Sequence, residues 1–248
     1  MEILILGAGA MGSLFGALLA PLAEVCLFTT NAGHARAINR EGLTLTGMDG
    51  TVRRFGIRAL TDGSHYGGKA DLILMCTKAR STGEAAATAQ GLVAEDGLVL
   101  TLQNGLNNLE TIASVTGRDG LLGGTTAHGA TLLGHGRIRH AGSGDTVIGV
   151  FGRVGTGELD AVAGLFNRAG ITTAVTGDLT ATLWRKLVVN AALNPLTALT
   201  GLCNGELIGN PALADVQERL VKEACAVAEA RGISINTGDA AAMIREVC

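Results

Sequence analysis

The chain has 248 residues, of which 47% are hydrophobic, and its 19 Lys and Arg against 22 Asp and Glu give a net charge of −3. This length accommodates one large domain or two modest ones, and the apolar share is sufficient for their core without stabilising disulfides or metal ions. The balanced charge gives no electrostatic reason to expect nucleic acid or an anionic membrane surface, so we expect a small-molecule partner.

Short apolar runs alternate with helix-compatible stretches through the first two thirds of the chain, which is typical of βαβ units and a mainly parallel sheet. The predicted buried strands are Ile3–Leu6, Val25–Phe28, Leu72–Cys76 and Leu98–Leu102. The helices predicted to follow them are Ser13–Leu22, His34–Arg40, Ala79–Leu92 and Asn108–Ala113. Right-handed crossovers would place the carboxyl ends of these strands at one edge, where doubly wound sheets bind their ligands.

Two later segments with many glycines, Thr125–Leu133 and Asp145–Phe151, are predicted to extend the sheet in antiparallel fashion. No run has the uninterrupted apolar length of a membrane span, and the apolar amino terminus lacks the basic leader of a signal peptide. We therefore expect a soluble protein.

After Gly177 the composition becomes typical of helices. Asp178 is predicted to cap a long helix from Leu179 to about Leu199, and Asn210 with Pro211 to open another helix that ends at Gly232. The expected fold class is therefore α/β, with a Rossmann-type doubly wound sheet over residues 1–177 and an all-helical domain over residues 178–248.

A glycine-patterned turn follows the first predicted strand and opens a helix; it reads Gly7-Ala8-Gly9-Ala10-Met11-Gly12. The first glycine permits the tight turn, the second lets the backbone approach a pyrophosphate, and the third allows close packing of helix on strand. The helix amino terminus attracts negative charge. Although an isolated GxGxxG match often means only a flexible turn, this context predicts a dinucleotide site.

The end of the second predicted strand selects between NAD and NADP, because a carboxylate there accepts from the ribose hydroxyls and repels a 2′-phosphate. The sequence reads Phe28-Thr29-Thr30-Asn31, without an acidic residue. This favours NADP, because the hydroxyls of Thr29 and Thr30 and the amide of Asn31, with Arg36 nearby, could donate to a 2′-phosphate, with Thr30 taken as a cofactor ligand. An ordinary polar turn is the alternative, and a methyltransferase would share the glycine turn.

Two polar residues follow the next two strands, Lys78 after Leu72–Cys76 and Asn104 after Leu98–Leu102. Both fall at the edge that receives the ligand, where an ammonium and an amide can bind a carboxylate or a ribose. Each residue alone also suits an ordinary turn. Their occurrence on successive turns favours a role in binding cofactor or substrate.

Lys186, Asn190 and Asn194 are spaced by four residues within a predominantly apolar helix, which places them along one stripe. A solvated outer stripe is the alternative, but such stripes usually carry more charge and less asparagine. In ketone reduction an acid must protonate the developing alkoxide while a cation stabilises its charge. Lys186 can do both, and partial burial would lower its pKa towards neutrality.

The chain resembles the ketopantoate reductase (2-dehydropantoate 2-reductase) family over essentially its whole length. The matching segments, in the family's order, are GAGAMGSLFG from Gly7, CTKA from Cys76, QNG from Gln103, GTTAHGA around Thr125, WRKLVVNAALNPLTAL from Trp184 and CNGEL from Cys203. The resemblance implies NADPH-dependent reduction of 2-dehydropantoate to (R)-pantoate, a step towards pantothenate and coenzyme A.

By matching positions, the resemblance implies that Lys186 is the catalytic acid and that Asn190, Asn194 and Asn204 bind substrate. It also implies that Lys78 and Asn104 lie where cofactor and substrate meet.

Two departures from the family are expected to matter. Thr30 stands where many relatives carry an arginine for the 2′-phosphate. The chain stops at Cys248, before the serine-rich segment and the glutamate-bearing helix of relatives, so the helical domain is expected to be incomplete, through either fragmentation or natural truncation. Non-catalytic NADP binding is therefore one alternative. Reduction of another 2-keto or 3-hydroxy acid is a second, because families with this architecture share the glycine turn.

The five dispersed cysteines form no CxxC pair, which is typical of reduced thiols in a cytoplasm. The five histidines show no HxH or HExxH spacing, so we expect no metal site. The oligomeric state is left open, with a homodimer as one option.

Overall fold

The computed structural model describes residues 1–247, which divide into two compact units. The first comprises Met1–Gln103 and Asn107–Gly177, and the second comprises Asn104–Leu106 and the chain from Asp178 onward.

The first unit is built from two sheets and the helices that cover them. Its strands are β1 Glu2–Leu6, β2 Glu24–Phe28, β3 Leu43–Thr46, β4 Val52–Phe55, β5 Arg58–Leu60, β6 Ala70–Met75, β7 Val93–Thr101, β8 Gly120–Thr126, β9 Gly129–Gly134, β10 Arg137–Gly142, β11 Thr146–Gly152 and β12 Thr173–Val175. Its helices are α1 Ala10–Leu19, α2 Ala32–Glu41, α3 Thr82–Leu92, α4 Asn108–Thr116 and α5 Thr156–Arg168, with single 3₁₀ turns at Gly63–His65 and Ala79–Ser81.

The main sheet has eight strands in the order β12-β11-β8-β7-β6-β1-β2-β5. All neighbouring pairs are parallel except β8 with β11. Residues 3–6 of β1 are fully buried, which is the continuous apolar run expected of a parallel strand covered on both faces. The predicted α/β class and the four predicted parallel strands are confirmed, with ends shifted by up to five residues.

A second sheet of four strands, in the order β4-β3-β10-β9, packs against α1, which also packs against β1 and β2 of the main sheet. Its presence corrects one prediction. Thr125–Leu133 is not a single antiparallel extension, because β8 ends at Thr126 and runs parallel to β7, whereas β9 starts at Gly129 and joins the second sheet. The predicted antiparallel strand at Asp145–Phe151 is confirmed as β11, which pairs with β8.

The described part of the second unit, up to residue 247, contains four helices, α6 Leu179–Thr200, α7 Asn204–Ile208, α8 Pro211–Ala230 and α9 Thr237–Val247. The carboxylate of Asp178 accepts from Ala181 N at 2.9 Å, and the amide oxygen of Asn210 accepts from Ala212 N at 3.0 Å, so both predicted helix starts are confirmed. Gly232, with φ +77°, follows the end of α8 as predicted.

The core of the second unit forms where α6, α8 and α9 pack together. Its fully buried members include Val188, Ala192 and Leu193 of α6, Ala228 of α8 and Ala240 of α9. Across residues 1–247, we find no helix with the length and apolar character needed to cross a bilayer.

Candidate functional site

The glycine turn between β1 and α1 has the geometry that its sequence predicts. Gly7 adopts φ +100°, and a Cβ there would lie 2.5 Å from the backbone nitrogen of Thr77. A Cβ on Gly12 would lie 2.3 Å from the carbonyl oxygen of Gly7, so α1 packs on the turn at a distance that only glycine allows. By contrast, nothing lies within 4 Å of the Cβ position of Gly9. The outer face of the turn is therefore open at the middle glycine.

The turn presents the amino terminus of α1 without a side-chain cap. Gly9 is the N-cap residue, and the first turn of α1 contains no acidic residue. Amide groups in the first turn of a helix have no intrahelical acceptor and carry the positive end of the helix dipole. Ala8 is buried and Ala10 and Met11 are half-buried, while Ala8 N donates to the carbonyl oxygen of Phe28 at 2.8 Å. The turn is therefore anchored to β2 and suited to a diphosphate.

A cavity of about 450 Å³ lies at the carboxyl ends of β1, β2 and β6. It brings together five residues predicted to bind ligand: Gly7, Ala8, Gly9, Thr30 and Lys78. Its other polar lining residues are Thr29, Thr77, Arg80, Ser81, Glu84 and Thr88. We call this cavity the nucleotide cleft. An open glycine backbone, an uncapped helix end and a cavity of this size together fit a dinucleotide.

A buried polar network fixes two of the turns at this edge. Gln103 Nε2 lies 3.0 Å from Thr77 O, from Thr77 Oγ1 and from Thr82 Oγ1, and Gln103 Oε1 accepts from Thr101 Oγ1 at 2.9 Å. Thr82 Oγ1 in turn donates to Asn108 Oδ1 at 3.1 Å. The network ties the turn after β6, which carries Lys78, to the end of β7. The sequence alone predicts no role for Gln103, although QNG follows a predicted strand.

A buried histidine supports α1 from the other side. His34 is 1% exposed; Gly136 N donates to its Nδ1 at 3.0 Å, and its Nε2 lies 3.2 Å from Ser13 Oγ. Because Nδ1 accepts, the ring proton is assigned to Nε2. Burial, and then the nearby His135, lower the pKa of His34. The neutral ring thus joins α1, α2 and the turn between β9 and β10.

In the second unit, the predicted polar stripe lies on α6. Lys186 and Asn190 are half-buried and Asn194 is exposed, while Val188, Val189 and Ala192 of the same helix are buried. Burial lowers the pKa of the Lys186 ammonium below its usual value, because the charged form loses hydration.

The last two predicted ligands lie outside α6. Asn204 is half-buried and begins α7, where the Glu206 carboxylate accepts from Cys203 N at 2.7 Å. That contact gives the CNGEL segment a structural role as a capping box. Asn104 follows β7, is exposed, and belongs to the second unit.

The fold and the nucleotide cleft define a Rossmann-type dinucleotide-binding protein. Residues 3–153 match the family model described as ketopantoate reductase PanE/ApbA, and residues 178–248 match the model of its C-terminal part. The 2-dehydropantoate 2-reductase of Pyrococcus horikoshii is 39% identical over 236 residues, which are 95% of this chain and 76% of that protein. The chain therefore belongs to the ketopantoate reductase family, a family of oxidoreductases.

Two solved structures are also similar to the chain. A PanE/ApbA family ketopantoate reductase from Ralstonia eutropha JMP134 is 32% identical, with a TM-score of 0.87 over 100% of this chain and 80% of that chain. D-mandelate dehydrogenase with NADH and anilino(oxo)acetate is 25% identical, with a TM-score of 0.92 over 99% of this chain and 79% of that chain. Both similarities extend over the two units of the chain.

Proposed function

We propose that the chain reduces 2-dehydropantoate to (R)-pantoate with NADPH, a step towards pantothenate and coenzyme A. The observation that carries this proposal is the match of both parts of the chain to the ketopantoate reductase family, at 39% identity to a protein named 2-dehydropantoate 2-reductase. We further propose residues 1–177 as the NADP-binding domain of a cytoplasmic protein and residues 178–248 as the substrate and catalytic domain.

The residues proposed to hold the cofactor are the Gly7–Gly12 turn, Thr30, Lys78 and Asn104. The open face at Gly9 and the uncapped end of α1 support the turn as the pyrophosphate site. When bound, NADPH supplies a hydride for the ketone carbon. The chain's own task is then to orient the keto acid and to protonate its carbonyl oxygen.

Lys186 is proposed as the general acid that protonates the developing alkoxide. Its half-buried position and lowered pKa support this role, because a less stable ammonium gives up its proton more readily near neutral pH. Asn190, Asn194, Asn204 and Lys78 are proposed to bind the hydroxyl and carboxylate oxygens of the substrate. The reduction requires the protonated lysine, so its rate should fall as the pH rises through the pKa of Lys186.

The test is a matched pair of variants, Lys186→Met and Arg185→Met. Each removes one cation from the same turn of α6, but Arg185 is exposed and has no proposed role. We expect the lysine variant to lose roughly 10²- to 10⁴-fold in kcat, the usual contribution of a general acid, and the arginine variant to lose little. Full activity of Lys186→Met on ketopantoate would remove the lysine from the mechanism.

Thermal unfolding separates this loss from misfolding. Burial disfavours the ammonium of Lys186, so the methionine variant should be at least as stable as the parent protein near neutral pH. A large drop in its unfolding temperature would instead show that Lys186 has a structural role.

A second candidate function is the reduction of a different 2-keto acid. The similarity to D-mandelate dehydrogenase, whose name implies a 2-hydroxy acid, favours this alternative. A panel of ketopantoate, benzoylformate, pyruvate and 2-ketoisovalerate distinguishes the two. The largest kcat/KM on ketopantoate supports the first proposal, and the largest value on benzoylformate supports the second. Tight NADPH binding without turnover on any of them indicates a non-catalytic protein.

A further inference from the structure

Arg80 is a cation in the nucleotide cleft that has no role in the proposed reaction. It lies on the 3₁₀ turn Ala79–Ser81 after β6 and lines the same cavity as Gly9 and Thr30. We propose that Arg80 binds the 2′-phosphate of NADPH and so sets the preference for NADPH over NADH. This inference rests on the proposed function only in assuming a nicotinamide dinucleotide in the cleft.

The end of β2 cannot supply this charge. Thr29 is buried, and its hydroxyl oxygen accepts from Asn31 N at 3.2 Å. The side-chain oxygen of Asn31 caps α2 by accepting from His34 N at 3.0 Å. Thr30 is exposed and lines the cleft, but its hydroxyl is neutral. A phosphate ester carries a charge of about −1.5 to −2 near pH 7, and its strong ligands are charged donors.

Arg80 lies where a charged donor is needed, and its guanidinium is available for a ligand. Its side chain is exposed, and within the described part of the chain it has neither a hydrogen bond nor an ion pair. The turn that carries it is held by the bond from Ser81 N to Lys78 O at 2.8 Å. Gln103 fixes Thr77, just before this turn. A guanidinium on a fixed turn can bind phosphate oxygens in bidentate fashion.

Three other charged side chains bear on this assignment. Lys78 also lines the cleft, but its ammonium already has a proposed role where cofactor and substrate meet. Arg36 follows β2 in sequence, but it is exposed on α2 and does not line the cleft. Glu84 does line the cleft, as an exposed residue in the first turn of α3. A carboxylate there would disfavour a nearby phosphate, and the Arg80 guanidinium on the same wall would offset that repulsion.

The experiment compares Arg80→Gln with Arg139→Gln by equilibrium binding. Arg139 is exposed on β10 in the second sheet, so its variant makes the same charge change away from the cleft. Dissociation constants are measured for NADPH and NADH by fluorescence, and for adenosine 2′,5′-bisphosphate by calorimetry. We expect Arg80→Gln to weaken NADPH and the bisphosphate by about 10- to 100-fold, and NADH by less than roughly threefold. Arg139→Gln should leave all three constants unchanged.

Three outcomes would overturn the inference. They are equal effects of Arg80→Gln on NADPH and NADH, no effect on either, or loss of the NADPH preference in Arg36→Gln instead. None of these outcomes tests the proposed reaction, because that reaction is measured separately as the turnover of ketopantoate with NADPH or NADH. Conversely, Arg80→Gln could weaken NADPH binding selectively while the parent protein reduces no keto acid. That result would support the role of Arg80 and refute the proposed reaction.

Discussion

Alanine substitutions at Gly9 and Gly12 should separate ligand binding from folding within one turn. At Gly12 the added methyl would lie 2.3 Å from the carbonyl oxygen of Gly7, which is backbone and cannot rotate away. Non-bonded heavy atoms touch at about 3.5 Å, so α1 would have to shift by roughly 1 Å. Overpacking of this kind costs about 1–3 kcal/mol of unfolding free energy. Urea denaturation of Gly12→Ala measures that loss.

At Gly9 the same methyl meets nothing within 4 Å, and the backbone has φ −78°, which alanine adopts without strain. The expected loss of stability is only the N-cap preference, about 0.5–1 kcal/mol. The methyl would, however, occupy the face that a pyrophosphate must approach. We therefore expect the dissociation constant for NADPH to rise at least about tenfold. A tenfold rise corresponds to a loss of about 1.4 kcal/mol of binding free energy.

The assay is fluorescence titration of NADPH with both variants beside the parent protein, at a temperature where all remain folded. If Gly9→Ala binds NADPH as tightly as the parent protein, the open face of the turn is not the pyrophosphate site. If Gly9→Ala is as unstable as Gly12→Ala, the predicted difference in space for a methyl group at the two positions is wrong.

Two further predictions concern the structure around the cleft. Gln103→Leu should lower the unfolding free energy by about 1–3 kcal/mol, because the polar groups of Thr77 and Thr82 lose a buried partner; unchanged stability in urea denaturation would contradict this. For His34, the lowered pKa means that its contribution to stability is complete above its unfolded value of about 6.5 and is lost as the pH falls through its folded value. His34→Gln should therefore lose less stability than the parent protein when the pH falls from 7.5 to 5.5. Equal losses in urea denaturation would refute the lowered pKa of His34.

The main sheet was predictable from the sequence because its strands are buried on both faces. Ile3–Leu6 and Leu72–Met75 appear as continuous apolar runs, and such runs need no knowledge of distant partners. The caps at Asp178 and Asn210 are similarly local, since one side chain serves the amides two or three residues ahead.

The second sheet was not predictable in this way. Its strands are half-exposed and short, so they have no apolar run, and its central pair joins Leu45 to Ile138 across more than ninety residues. The sequence does not single out Arg80 for a related reason. It predicts a helix directly after Lys78, whereas the structure has a 3₁₀ turn before α3, and this turn puts Arg80 in the cleft wall.

We propose above that this chain converts a keto acid into a hydroxy acid with NADPH. The most direct measurement incubates the 248-residue protein with NADPH and 2-dehydropantoate, follows absorbance at the nicotinamide band, and resolves the product by chiral chromatography. We expect (R)-pantoate to form in a one-to-one ratio with the NADPH consumed. Bound NADPH that is never oxidised, or a product of the opposite configuration, would contradict it.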